Sequence, residues 1–253
     1  MRRAQTLLVS VLLAVSALGA TAQGAFAYRT DVWSNSDSFS YNCLGFTDTY
    51  PAQLYSLATS QMRALGYSPV GGALGAGFTS SAFLTNVLPD WAVYAHTHGD
   101  NYWAASGYPN VDSAILQDPG TSRCSNFSKD AIRSSSIKSA TRGSQYNLVI
   151  MSTCMLGASS STMPGAFQIE KVKSSTDREF YLGYVYSTYD SAALRFEQAF
   201  WSYLNTYDQY GRRRTAYSAF TYAMSIGGYS APDASDPFQA NWWGNPTYNG
   251  LPG

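Results

Sequence analysis

The chain has 253 residues, with 16 Lys and Arg set against 16 Asp and Glu, and only two histidines. A balance without basic excess argues against nucleic acid or another polyanion as a partner. Charged residues make up 13% of the chain while 20 tyrosines and many serines supply polarity through hydroxyls, a surface character suited to an extracellular protein.

At the amino end Arg2 and Arg3 precede the apolar run LLVSVLLAVSALGA, and Ala25 and Ala27 flank Phe26. This order of charge, apolar stretch and small residues predicts a secretory signal over residues 1–27, cleaved after Ala27. The paired arginines lack the surroundings of a twin-arginine signal, so general secretion is expected. No later stretch is apolar and long enough to span a bilayer, so stable membrane insertion is not expected. Residues 28–253 have an ordinary length for one α/β domain of three layers. In an oxidising compartment two of the three cysteines are expected to pair. Cys43 and Cys124 lie in polar, loop-like segments, so their pairing is preferred and Cys154 is left free, although spacing alone does not fix the connectivity.

In chain order, Tyr28 to Ser38 reads as an irregular arm and FSYNCLGF as a first strand. A helix follows: Asp48 or Thr49 can cap it, Pro51 suits its first turn, and Leu54, Leu57, Ala58, Met62 and Leu65 share one face before Gly66 ends it. The glycine-rich stretch Gly71 to Gly77 lacks the Lys-Ser/Thr of a phosphate loop and reads as a flexible loop. TSSAFLTNVL is a short capped helix, and WAVYA a short strand apolar on both faces, as strands covered by helices are. About 103–143 reads as a loop-rich insertion, and Asn126 opens a glycosylation sequon within it. YNLVIM and EFYLGYVY are further strands. A helix begins at Asp190, a good cap residue, and places Ala193, Phe196, Phe200, Tyr203 and Leu204 on one face; another runs through RRTAYSAFTYAMS. The aromatic tail DPFQANWWGNPTYNGLPG is aperiodic and is expected to drape over the domain. Strands alternating with helices predict an α/β fold with a mostly parallel sheet flanked by helices.

Two strand ends carry the chemistry. AVYA ends in His96-Thr97-His98-Gly99, and LVIMST ends in Cys154. Ligands and catalytic groups collect at the carboxyl ends of parallel strands, where an imidazole and a thiol can meet. Such a pair can pass the thiol proton to the imidazole as the sulfur attacks a carbonyl, and a glycine beside the histidine can aim its N–H at the developing oxyanion.

WAVYAHTHG followed by YNLVIMSTCMLG resembles the two catalytic blocks of the caspase-like cysteine peptidases, the group of caspases, gingipains, clostripain and CHAT domains. In those blocks one hydrophobic strand ends in His-Gly and another in a cysteine preceded by a small residue. EFYLGYVYSTYDSAALRFEQAFWSYL and TAYSAFTYAM are similar to the strand, aspartate-bearing loop and helix pair that close many bacterial members, so the likeness runs from about Phe39 to Met224. The resemblance implies a three-layer caspase-like fold and a peptidase acting on a protein or peptide without a cofactor. It implies His98 as general base or imidazolium partner, Cys154 as nucleophile and Gly99 as an oxyanion donor. His96 has no fixed role in that pattern and is expected to support the site. Members that cleave after basic residues often carry an acidic residue just before the nucleophile; Met151, Ser152 and Thr153 stand there instead, so the substrate preference and the oligomeric state stay open. Asp190 can be recruited to the site, against its simpler reading as a helix cap.

Two other functions compete. HTHGDN resembles the H-x-H-x-D-H element of metallo-β-lactamase-like hydrolases, with Asn101 in place of the last histidine, and His96, His98, Asp100 and Cys154 are the candidate ligands of one metal. The other alternative is a secreted caspase-like binding module without catalysis.

Overall fold

A computed structural model describes residues 28–35, 49–87, 91–103, 112–120, 127–229 and 238–252. The signal segment, the strand expected around Cys43, the Cys43–Cys124 pairing and the Asn126 sequon lie outside the described residues.

The main sheet is built from β1 (Arg29–Ser34), β2 (Ser68–Leu74), β3 (Ala92–His96), β7 (Leu148–Ser152), β8 (Phe180–Tyr184) and β9 (Ala240–Gly244). Their spatial order is β2-β1-β3-β7-β8-β9. All neighbours are parallel except β8 and β9, which are antiparallel. A second, antiparallel sheet joins β4 (Gly99–Trp103), β5 (Asp112–Leu116) and β6 (Ala131–Arg133). The helices are α1 (Tyr50–Ala64), α2 (Ser80–Asn86), α3 (Phe127–Asp130), α4 (Ser134–Thr141), α5 (Met163–Ala166), α6 (Asp190–Leu204) and α7 (Ala216–Ile226).

Successive residues of a strand face opposite sides of its sheet, and both faces of the main sheet are apolar. Val32, Tyr94, Ile150 and Leu182 pack against Leu54 and Met62 of α1, Phe196 and Phe200 of α6, and Ala219 of α7. Trp33, Val93, Val149 and Tyr181 pack on the other side against Phe83, Ile137 and Met163, with Ile115 and Ile132 of the small sheet. Helices, sheet and a mixed layer make three tiers, which is the predicted α/β architecture.

Several expectations need correction. Arg29–Ser34 is a sheet strand and not an irregular arm. Two of its buried polar side chains bond to neighbouring segments: the Thr30 hydroxyl donates to the Ala92 carbonyl at 3.0 Å and the Ser34 hydroxyl to the Pro51 carbonyl at 3.0 Å. The glycine-rich stretch forms edge strand β2 and a short 3₁₀ turn (Gly75–Gly77). Gly72 has φ +100° and its backbone lies so close to Val32 that a Cβ would run into the Val32 carbonyl, so this strand needs glycine to pair with β1. Among the described residues of 103–143, β5, β6 and α4 help build the second apolar core. The aromatic tail supplies β9, whose adjacent Trp242 and Trp243 face opposite cores. Lys173 and Lys171 lie over these two rings at 5.4 and 5.7 Å, capping the sheet edge with charge.

Candidate active site

Strands β3 and β7 are parallel neighbours in unbroken register, from Ala92 opposite Leu148 to His96 opposite Ser152. Two residues beyond these strand ends lie His98 and Cys154, so the same offset delivers both to the carboxyl edge of the sheet. Both are half-buried. Gly99, the first residue of β4, rests on the other segment: a Cβ there would stand 2.7 Å from the Cys154 carbonyl oxygen and 2.9 Å from Thr153 Cβ. The chain after β3 therefore touches the chain after β7 at Gly99 and Cys154.

Beyond Cys154 the backbone turns sharply. Met155 has φ 61°, in the left-handed region, where a residue with a Cβ is disfavoured by about 1–2 kcal/mol. Such strain persists where the surroundings over-determine the conformation. Here the Gly157 N–H donates to the Tyr184 carbonyl at 2.6 Å, the Tyr181 hydroxyl donates to the Leu156 carbonyl at 3.0 Å, and Asn241 Nδ2 donates to the Gly157 carbonyl at 3.1 Å. Strands β8 and β9 thus hold the turn that presents the cysteine.

The sulfur has a partner from the segment joining β8 to α6. The Thr188 N–H donates to Cys154 Sγ at 3.3 Å. Burial pushes the Cys154 thiol above its ordinary value; the Thr188 backbone works against that shift and the carboxylate of Asp190 adds to it. The resting thiol keeps its proton at neutral pH.

Beneath this pair lies a buried polar layer. His96 is 2% exposed, and its Nδ1 sits 3.1 Å from the Ser152 carbonyl oxygen and 3.0 Å from Ser152 Oγ. Its Nε2 lies 3.6 Å from Asp190 Oδ1. Burial lowers the ring to about 3; the hydrogen bond to Ser152 opposes this and nearby His98 adds to it. His96 is therefore neutral, and its approach to Asp190 is not an ion pair. One turn pair further along α6, Glu197 is fully buried and accepts the hydroxyls of Tyr94 at 2.9 Å and Tyr184 at 2.8 Å. Burial raises its carboxyl to about 7, against hydrogen bonds from Ser152 and the two tyrosines. Tyr94 and Tyr184 are in turn held well above the ordinary phenol value, first by burial and then by Glu197.

The structure thus brings together His98, Gly99 and Cys154 at the edge, with His96 and Asp190 below. Asp190 does not cap α6, because Tyr189 occupies the cap position and Asp190 is the first helical residue. Ser152, Thr188 and Glu197 were missed from sequence. Glu197 had a readable signal: an acidic residue on the apolar face of α6, seven positions after Asp190. Among the described residues, which include the candidate ligands His96, His98, Asp100 and Cys154, no group of three or more His, Cys, Asp or Glu side chains is placed to hold a metal ion.

No family model matches the chain and no curated protein matches it. Among solved structures it is similar to the Arg-specific cysteine proteinase gingipain R (RgpB), at 13% identity and a TM-score of 0.52, covering 87% of this chain and 46% of that one. It also matches the complex of the Porphyromonas gingivalis RgpB pro- and mature domains, at 10% identity and a TM-score of 0.49, over 87% of this chain and 48% of that one. The chain spans about half the length of these structures. At this identity the likeness speaks to fold: the chain has the three-layer α/β fold of the caspase-like cysteine peptidases.

Proposed function

We propose that the protein is a secreted, single-domain hydrolase that cleaves a peptide or related amide bond through Cys154 and His98, without a cofactor. The observation that carries this reading is the shared register of β3 and β7, which delivers both residues to one sheet edge. Because the resting thiol is protonated, His98 acts as general base during attack and not as one half of a resting ion pair. The sulfur adds to the substrate carbonyl as its proton passes to His98, with the Gly99 N–H as an oxyanion donor. The adduct collapses as His98 returns the proton to the leaving amine, giving a thioester, and water then releases the acid with His98 again as base. A protein or peptide is the substrate class. Among the described residues no helix is long and apolar enough to cross a membrane.

The second reading, a binding module that keeps the fold without turnover, draws on the same buried and protonated thiol. Hydrolysis of a diverse peptide library by the secreted protein separates the two. Cleavage abolished in both Cys154→Ala and His98→Ala supports the hydrolase; cleavage absent from the wild type, or unaffected by either change, supports the binding module.

A further inference from the structure

Helix α6 starts beneath the candidate site at Asp190, and at about 1.5 Å per residue its 15 residues carry the chain about 22 Å away. There a tight turn, residues 205–214, leads toward α7. The turn is held from within. Tyr207 and Arg213 form a β-bridge, the Asp208 N–H donates to the Arg212 carbonyl at 2.8 Å, and the Arg214 N–H donates to the Thr206 carbonyl at 3.1 Å. The Asp208 carboxylate accepts the Tyr210 and Arg212 N–H groups at 2.8 and 2.9 Å. Asn205 ties the turn to α1, donating to Gln61 Oε1 at 2.6 Å and accepting from Arg213 Nη1 at 2.9 Å. A frame fixed this way presents its side chains with little left to order on binding.

Those side chains form three pairs of arginine and tyrosine. The guanidinium of Arg212 lies 5.1 Å from the centre of the Tyr210 ring, that of Arg213 5.2 Å from Tyr207, and that of Arg214 4.8 Å from Tyr203. Tyr207 is 58% exposed and Tyr210 72%, so large rings stand in solvent on a rigid support. From Trp201 to Tyr229 the charged residues are Asp208, Arg212, Arg213 and Arg214, so a chain of balanced charge has a local surplus of two positive charges here. The neighbouring α1 adds Arg63 and no acidic residue. Asp208 pairs with Arg212, accepting from its Nε at 2.9 Å. Arg214 Nε is buried and has no hydrogen-bond partner among the described residues, so this guanidinium lacks the acceptor that a buried donor calls for.

We propose that this turn is a docking surface for an acidic segment of a protein partner, whose carboxylates bind Arg213 and Arg214 while Tyr207 and Tyr210 supply apolar contact. The local positive surplus selects an acidic partner. The planar guanidinium suits a carboxylate because two N–H groups can meet its two oxygens. Tyrosine and arginine are also the residues that most often carry the binding energy of protein interfaces. A glycan fits less well, because a guanidinium already covers a face of each ring on which a sugar would stack. The surface is remote from Cys154, so the inference stands apart from the peptidase reading.

The test is the fluorescence anisotropy of fluorescein-labelled poly-L-glutamate titrated with the full chain, with labelled poly-L-lysine and labelled polygalacturonate as comparison probes. The wild type is expected to bind polyglutamate, more weakly as salt rises, and to bind both comparison probes less tightly. Arg213→Gln and Arg214→Gln are each expected to weaken binding on the order of tenfold, the effect of losing a hydrogen bond between charged groups. Arg214→Lys keeps the charge and loses the planar fork, and is expected to weaken binding by a similar factor, which non-specific attraction does not predict. If the arginine variants do not fold, the strongly exposed Tyr210 decides the matter: Tyr210→Ala is expected to weaken binding severalfold, and an unchanged affinity overturns the proposal. It is overturned equally by a wild type that does not bind polyglutamate, by full binding in Arg214→Gln or Arg214→Lys, and by tighter binding of polygalacturonate. Cys154→Ala is expected to bind as the wild type does, so loss of the peptidase reading leaves this one standing, and loss of this one leaves the peptidase reading untouched.

Discussion

Gly99 lies against the carbonyl of Cys154, with space for a hydrogen and none for a methyl group: a Cβ would stand 2.7 Å from that oxygen. The obstacle is backbone, which cannot swing aside as a flexible side chain can. Gly99→Ala is therefore expected to push β4 away from β7, destabilising the fold by about 1–3 kcal/mol. Peptide cleavage should fall further than stability predicts, by tenfold or more, because a misplacement of about 1 Å can cost a hundredfold in rate. Denaturant unfolding and peptidase assays on the same samples check both parts. A variant with wild-type rates and stability contradicts the contact.

Met155 offers a test of the turn that follows Cys154. Its φ of 61° is strained for any residue with a Cβ, and worst for a β-branched one. Met155→Val is expected to destabilise the protein by about 1–2 kcal/mol. Met155→Gly should stay within about 1 kcal/mol of wild type, as the relieved strain is offset by the greater freedom of glycine in the unfolded chain. Chemical denaturation of the pair gives the comparison.

The buried layer makes two opposed contributions to stability against pH. His96 is lowered from 6.5 to about 3 in the fold, so the unfolded chain takes up a proton first as pH falls. Its contribution is complete above pH 6.5 and is lost as pH drops toward about 3. Glu197 is raised from 4.5 to about 7, so the unfolded chain releases a proton first as pH rises. Its contribution is complete below pH 4.5 and is lost as pH climbs to about 7. Between 4.5 and 6.5 the two slopes cancel in part. Glu197→Gln removes one of them, and its stability should rise more steeply with pH across that window than the wild type does. Thermal melts in matched buffers measure this, and parallel curves for the two proteins contradict it.

Tyr94 and Tyr184 each satisfy one oxygen of the Glu197 carboxyl. Removing one hydroxyl, in Tyr94→Phe or Tyr184→Phe, leaves a buried acceptor without its donor and is expected to cost about 1–3 kcal/mol. The double variant combined with Glu197→Gln should lose less than the sum, since the partners act as one network. Strict additivity in denaturant unfolding would show that they are independent.

Much of the fold was legible because its strands are short, apolar on both faces and followed by clearly punctuated helices. Ala92–His96 and Leu148–Ser152 were read this way, and with them the strand ends that carry His98 and Cys154. Strand β1 was not, because Thr30, Asp31 and Ser34 look solvent-exposed in sequence and are buried only through tertiary contacts. The glycines of β2 suggested a loop, and their actual use is close approach to β1. Asp190 stood at a helix start, where capping is the usual role; its approach to His96, at 3.6 Å, arises only in the folded chain. Thr188 acts through its backbone, so no side-chain pattern could mark it.

The central claim is that Cys154 attacks a peptide carbonyl with His98 as its base. The most direct measurement is intact-protein mass spectrometry after exposure to a library of peptidyl acyloxymethyl ketones, which place a carbonyl before a nucleophile and trap it covalently. The account predicts a single adduct on Cys154 that depends on the peptide portion and is lost in folded His98→Ala. No adduct on the wild type, or equal labelling in His98→Ala, would contradict it.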